Sequence, residues 1–167
     1  MVKGKASLTV DELLNREAIR ALIISYNAMG DRGRVSEMVE AFAPDARLNA
    51  VGQTAVGHTE IAALLAANPL LPEHRVTRHH ITTQTVEIDG MEAVARSYFS
   101  VLTNIGLDHH GVYIDRLWLQ PNGEWLITER AVRLDWQAAN SVYAPLPVHH
   151  RVRPLPVASP HENPDAR

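Results

Sequence analysis

The chain has 167 residues, of which 46% are hydrophobic and 21% charged; this suits one soluble globular domain and excludes a disordered chain. Sixteen Lys and Arg against nineteen Asp and Glu give a net charge of -3, and the one basic cluster, Arg151 and Arg153 beside His149 and His150, is too small for a nucleic-acid groove. Cysteine is absent, which removes disulfides, thiolate nucleophiles, iron–sulfur ligation and cysteine zinc sites.

MVKGKASLTVDELL carries two lysines but no apolar core of signal-peptide length, and no run of about eighteen apolar residues follows. A cytoplasmic protein without a membrane partner is the expectation. Thr9 with Glu12 three residues on reads as a capping box opening a helix. Ile19, Leu22, Ile23 and Tyr26 then mark one buried helical face. Gly30 is the expected stop, which leaves the Asp31 carboxylate at the end of the helix. A second helix is expected from Val35 to Phe42, ending before Pro44. Ala46–Val51 and Thr54–Val56 flank Gly52 as a short hairpin, and Thr59–Ala67 reads as a third helix stopped by Asn68-Pro69.

The period then changes. Val76–Ile88, Glu92–Asn104, Val112–Gln120 and Trp125–Asp135 are rich in Val, Ile, Thr, Tyr and Trp, with hairpin signals at Asp89-Gly90 and Asn122-Gly123 and a looser connection from Ile105 to His110. Helices followed by an antiparallel meander predict an α+β domain, with helices packed on one face of a curved sheet that encloses a pocket. The Pro-rich residues 137–167 are expected to form an arm or cap, either closing the pocket or crossing to a neighbour, outside a domain spanning 1–136.

Nine histidines include the adjacent pairs His79-His80, His109-His110 and His149-His150. Neighbouring strand residues point to opposite faces, so neither strand pair chelates one ion as a pair, and His-Glu-x-x-His is absent; no metal is expected. Glu60, in His58-Thr59-Glu60, is explained as a first-turn acid at a helix start. Gly-x-Ser-x-Gly and glycine-rich nucleotide loops are also missing, which leaves acid–base chemistry by His, Asp, Tyr and Arg without a cofactor. Alternation puts either His79 or His80 inward and does not choose between them.

Asn15-Arg-Glu-Ala-Ile-Arg, Tyr26 with Asp31, Ala43-Pro-Asp-Ala, Val56-Gly-His-Thr-Glu-Ile, Arg78-His79, Ala95-Arg-Ser-Tyr, Tyr113-Ile-Asp-Arg and Trp125-Leu-Ile-Thr-Glu-Arg occur in this order from about Leu8 to Trp136. The series resembles the SnoaL-like branch of the nuclear transport factor 2-like superfamily, which includes scytalone dehydratase, bile acid 7α-dehydratase and lindane dehydrochlorinase. The resemblance implies a cone-shaped α+β barrel with three helices in its N-terminal half, commonly trimeric. It also implies a pairing of Asp31 with His79, favouring His79 as the inward histidine. Tyr26 matches the dehydratase tyrosine, and Arg130 resembles an arginine that helps a leaving group depart. His110 falls near a second histidine of the dehydratase. With His110, Val112 and Phe42 are expected to contact the substrate.

The expectation is a cofactor-independent lyase, a dehydratase acting on a small hydrophobic ring-containing substrate. His79 is the general base, oriented by Asp31, with Tyr26 and Arg130 stabilising developing charge. An isomerase or polyketide cyclase using the same dyad, or a non-catalytic ligand-binding domain, are the alternatives. A homo-oligomer, trimeric by resemblance or dimeric, is the expected assembly.

Overall fold

Thr9 caps helix α1 (Val10–Gly30), its hydroxyl accepting from the Glu12 backbone N–H at 3.1 Å. The reciprocal half of the box does not form; the Glu12 carboxylate instead accepts from Arg16 at 2.8 Å, and Arg16 also donates to the Val86 carbonyl on the sheet. The structure is a computed structural model that describes residues 8–50, 52–67, 76–143 and 145–148. Ile19, Ile23 and Tyr26 face the core as the heptad-like spacing requires, and Leu22 packs at its margin. Full burial of an Ile side chain is worth about 1.5–3 kcal/mol, so this stripe is what holds α1 to the sheet. Trp125 adds a polar tie, donating its indole N–H to Asn15 at 2.8 Å.

Gly30 is the last helical residue, but the left-handed turn falls three residues later, at Gly33 with φ 70°. Gly30 is small for another reason: a Cβ there would meet the Met38 methyl at 3.0 Å. Helix α2 is shorter than expected, Val35–Val39, because Phe42 already opens strand β1 (Phe42–Ala50). Pro44 lies inside β1 where its pairing to the neighbouring strand is interrupted, between Phe42 and Arg47, so its missing N–H removes no ladder bond. β1 and β2 (Gln53–Val56) make the expected hairpin. Helix α3 (Gly57–Ala67) follows at once; the Glu60 carboxylate accepts from the Val56 N–H and His58 Nε2 donates to the Phe42 carbonyl, both at 2.8 Å. Its expected stop at Asn68-Pro69 lies outside the described residues.

Strands β3 (Arg78–Asp89), β4 (Glu92–Thr103), β5 (Gly106–Leu119) and β6 (Trp125–Gln137) complete a six-stranded sheet of order β2-β1-β6-β5-β4-β3. Of these strands β1 and β6 pair in parallel, and the other neighbours are antiparallel. The Ile105–His110 connection expected as a loop is mostly strand, since β5 begins at Gly106. Register shifts interrupt the β3–β4, β4–β5 and β5–β6 ladders. Each extra residue bends its strand and increases the local twist, which curls the sheet around the three helices. The main core lies between those helices and the concave face, and a second cluster of Phe99, Val101 and Tyr113 continues it towards the open end. This is the mixed α+β architecture expected from the order of elements.

One position records how tightly the strands approach. A Cβ on Gly111 would lie 2.0 Å from the Arg133 carbonyl oxygen, beside the register shift of β5 against β6, so only glycine fits. Among the described residues no helix is long and apolar enough to cross a membrane.

Candidate active site

A cavity of about 520 Å³ opens between the helices and the concave face, lined by apolar side chains such as Val35, Met38, Leu64, Leu65 and Phe99. Its volume falls in the range of small-molecule sites, and Tyr26, Asp31, His79, His109 and Tyr113 are among the polar residues on its wall. Asp31 follows the last turn of α1 and His79 begins β3, and both line the cavity. The Asp31 carboxylate accepts from His79 twice over: from the backbone N–H at 3.1 and 3.2 Å, and from ring Nδ1 at 2.6 Å. A carboxylate is an acceptor only, so Nδ1 carries the hydrogen and Nε2 is the nitrogen available to a bound molecule. The pair is partly open, with 23% of the His79 and 13% of the Asp31 side chain exposed.

A second pair lies on β5. His109 Nδ1 donates to Asp108 at 2.8 Å; His109 lines the same cavity and Asp108 is fully buried. Adjacent strand residues ordinarily point apart, and the exception has a cause. Val101 pairs with His109 but Leu102 with Leu107, so Asp108 is the extra residue of a bulge and turns inward beside its neighbour. Burial pushes the Asp108 carboxyl up, but hydrogen bonds from His109, the Val142 N–H and Ser141 outweigh it and hold it below its usual value. Burial lowers His109 and prevails over the raising effect of Asp108, with His79 and His110 pushing the same way. His109 is therefore a neutral imidazole whose Nε2 accepts.

Tyr26 lines the cavity beside Asp31, edge-on to Phe42 and Tyr113. Burial raises its phenol against the lowering effect of Arg130, so Tyr26 is a hydrogen-bond donor and not a base. Arg130 is not on the cavity wall. It is fully buried, donates to both Asp115 oxygens at 2.7 and 2.9 Å, and lies over the rings of Tyr26 and Tyr113 at 4.2 and 4.5 Å. Burial alone would lower the guanidinium; Asp115 raises it further, so the charge persists. Arg130, expected to help a leaving group depart, thus does not reach the cavity; its guanidinium lies behind the Tyr26 ring.

The three expected substrate contacts also need correction. His110 pairs with Ser100 and stacks on Trp136 at 5.7 Å, on the outer face; His109 is the inward histidine. Val112, two residues on, shares that outer side. Phe42 is buried beneath Tyr26 and does not reach the cavity. His109, Tyr113 and Asn27, which the sequence did not single out as substrate contacts, do line it, as do Tyr143 and Leu146. Tyr113 donates to Asn27 at 3.2 Å, while Tyr143 and Leu146 belong to the Pro-rich arm.

These features define a SnoaL-like cone with a polar-tipped apolar cavity. The SnoaL-like domain family matches residues 11–131, and the chain belongs to that family. Among solved structures it is similar to a candidate scytalone dehydratase from Novosphingobium aromaticivorans, at 20% identity and TM-score 0.71, covering 86% of this chain and 99% of that one. It is also similar to a Mycobacterium tuberculosis protein of unknown function, at 25% identity and TM-score 0.66, covering 79% and 83% of the two chains. ActVI-ORFA from Streptomyces coelicolor is similar at 18% identity and TM-score 0.66, covering 72% and 97%. No curated protein matches the sequence.

Proposed function

We propose that the protein is a cofactor-independent dehydratase acting on a small, mainly apolar β-hydroxy carbonyl compound containing a ring. The observation that carries this reading is the 2.6 Å hydrogen bond between His79 Nδ1 and Asp31 at the wall of a cavity that also holds the Asp108-backed His109. His79 Nε2 takes the proton from the carbon next to the carbonyl, and Asp31 stabilises the imidazolium that forms. Tyr26 donates to the carbonyl oxygen as it gains charge. The C–O bond then breaks, the departing hydroxyl takes the proton held on His79, and water leaves with the histidine neutral again. His109 Nε2 accepts a hydrogen bond from the substrate hydroxyl and so orients the leaving group. The apolar wall excludes bulk water and strengthens each of these contacts.

The experiment is a screen of β-hydroxy carbonyl compounds with wild type, His79→Ala and Asp31→Asn, following water loss and deuterium exchange at the α-carbon. Water loss abolished by both substitutions is the expected result. Exchange without water loss identifies an isomerase or cyclase that uses the same dyad, and no exchange or loss across the series overturns the catalytic reading in favour of a binding domain.

We propose that a homo-oligomer forms through the outer face of the sheet, on which Val94, Tyr98, Leu102, Trp118 and Trp136 are each exposed. Sedimentation of wild type against Tyr98→Arg tests it, with a shift to monomer expected.

A further inference from the structure

The segment after β6 enters the site through a single buried carboxylate. Ala138 donates its N–H to the Asp108 carbonyl at 2.8 Å, and Ser141 turns back on it, its N–H donating to the Ala138 carbonyl. From that turn the Ser141 hydroxyl donates to Asp108 Oδ1 at 2.7 Å and the Val142 N–H to Oδ2 at 2.9 Å. Oδ1 is the same oxygen that receives His109 Nδ1. Ser141 Oγ is itself fixed, accepting from Gln137 Nε2 at 2.9 Å and from the Tyr143 N–H at 3.0 Å. Tyr143 then stands edge-on to the His109 ring at 5.0 Å, and Leu146 continues the cavity wall, its N–H donating to Gln137 Oε1 at 2.8 Å.

We propose that Ser141 is a positioning residue of the acid–base site: docked through Ser141 and Val142, the segment fixes the Asp108 carboxylate, which sets the tautomer and tilt of His109. The proposal rests on the reading of His109 as a working group of the cavity. Two consequences follow from this docking. A hydroxyl donor on Oδ1 disperses part of the carboxylate charge, which weakens its hold on the His109 proton. A seated Tyr143 keeps water from the imidazole, which disfavours the imidazolium. Both act to keep His109 neutral with its Nε2 open to the cavity. The titratable groups around His109 are Asp108 and His110 on its own strand, His79 from β3 and Tyr143 from the segment, with Asp31 behind His79.

The test uses the full chain and needs no substrate, so it stands apart from the identity of the reaction. Nitrogen-resolved NMR of the histidine rings gives the tautomer and titration midpoint of His109 in wild type, Ser141→Ala and Ser141→Thr. Ser141→Ala is expected to move the His109 midpoint upward, by more than any other histidine moves, and to loosen the Tyr143 ring from it. Ser141→Thr, which keeps the hydroxyl, is expected to restore both. An unchanged His109 midpoint and tautomer in Ser141→Ala overturns the proposal, as does a loss of thermal stability without any change at His109, which marks a structural tie only. If a substrate is found, the acidic limb of the kcat/KM profile rises in Ser141→Ala; failure of the dehydratase reading instead shows as no turnover in wild type with the NMR response intact.

Discussion

The cavity holds two His–Asp pairs built in opposite ways. His79 and Asp31 are 48 residues apart, meet where β3 passes the end of α1, and remain partly exposed. Asp108 and His109 are neighbours, meet only because a bulge turns the first of them inward, and are almost closed to solvent. A partly open pair can change charge as a proton moves, because the Asp31 anion supports the imidazolium. A closed pair resists that change and serves better as a fixed acceptor. In the proposed reaction the first pair therefore serves as base and the second as orienting acceptor.

The sharpest way to break this assignment is to remove each histidine in turn. His79→Ala is expected to lower kcat roughly 10²–10⁴-fold, the scale of a lost general base. His109→Ala is expected to cost about two- to tenfold, as for one neutral hydrogen bond worth about 0.5–1.5 kcal/mol. Steady-state kinetics on the same substrate compares them, and the reverse order would exchange the two roles.

Between these effects lies the ion pair that stands behind the cavity. Asp115 and Arg130 face each other across β5 and β6, and both are fully buried. Asp115→Asn leaves the guanidinium without its counter-charge, and a loss of about 3–5 kcal/mol is expected in urea unfolding. Because Arg130 lies over the Tyr26 ring, the same substitution is expected to weaken substrate binding while leaving the His79 ring resonances in place. A shift of the His79 signals as well would mean that the two sides of the cavity are not independent.

The open pair was legible in the sequence and the closed pair was not, for a physical reason. Tyr26 and Asp31 follow from a helical stripe and its terminus, and the resemblance selects His79 over His80, two facts that do not depend on any irregularity. Strand alternation, by contrast, is valid only between bulges. Read from Val112 backwards it places His110 and Val112 together, which is correct, but it gives no means of knowing which side is inner, nor that Asp108 joins His109. Phe42 was misplaced because Met38, Val39 and Phe42 share a helical period, whereas the chain leaves the helix after Val39 to pair with β6. For Arg130 the sequence offers only the resemblance; that it lies behind the cavity wall depends on Asp115, which the β5–β6 ladder sets opposite it.

The smallest effect concerns stability in acid, and it distinguishes a closed pair from an open one without any substrate. His109 is held below the ordinary imidazole value by burial, so between neutral pH and that folded midpoint the unfolded chain binds a proton the folded chain declines. Stability therefore falls as pH drops through the ordinary imidazole range, and this contribution flattens once the folded His109 protonates. Asp108, held below its ordinary value of 3.8, has the same sign in a lower window: its contribution is present above that value and is lost as pH falls through the folded midpoint. His109→Gln removes the first window. Urea midpoints measured from pH 7 downward should converge for wild type and His109→Gln as acid is added. Parallel curves across the imidazole range would mean that His109 binds its proton alike in the folded and unfolded chains, and a wild type that gains on the variant in acid would mean that His109 is charged in the fold; either result would overturn the orienting role given to the closed pair.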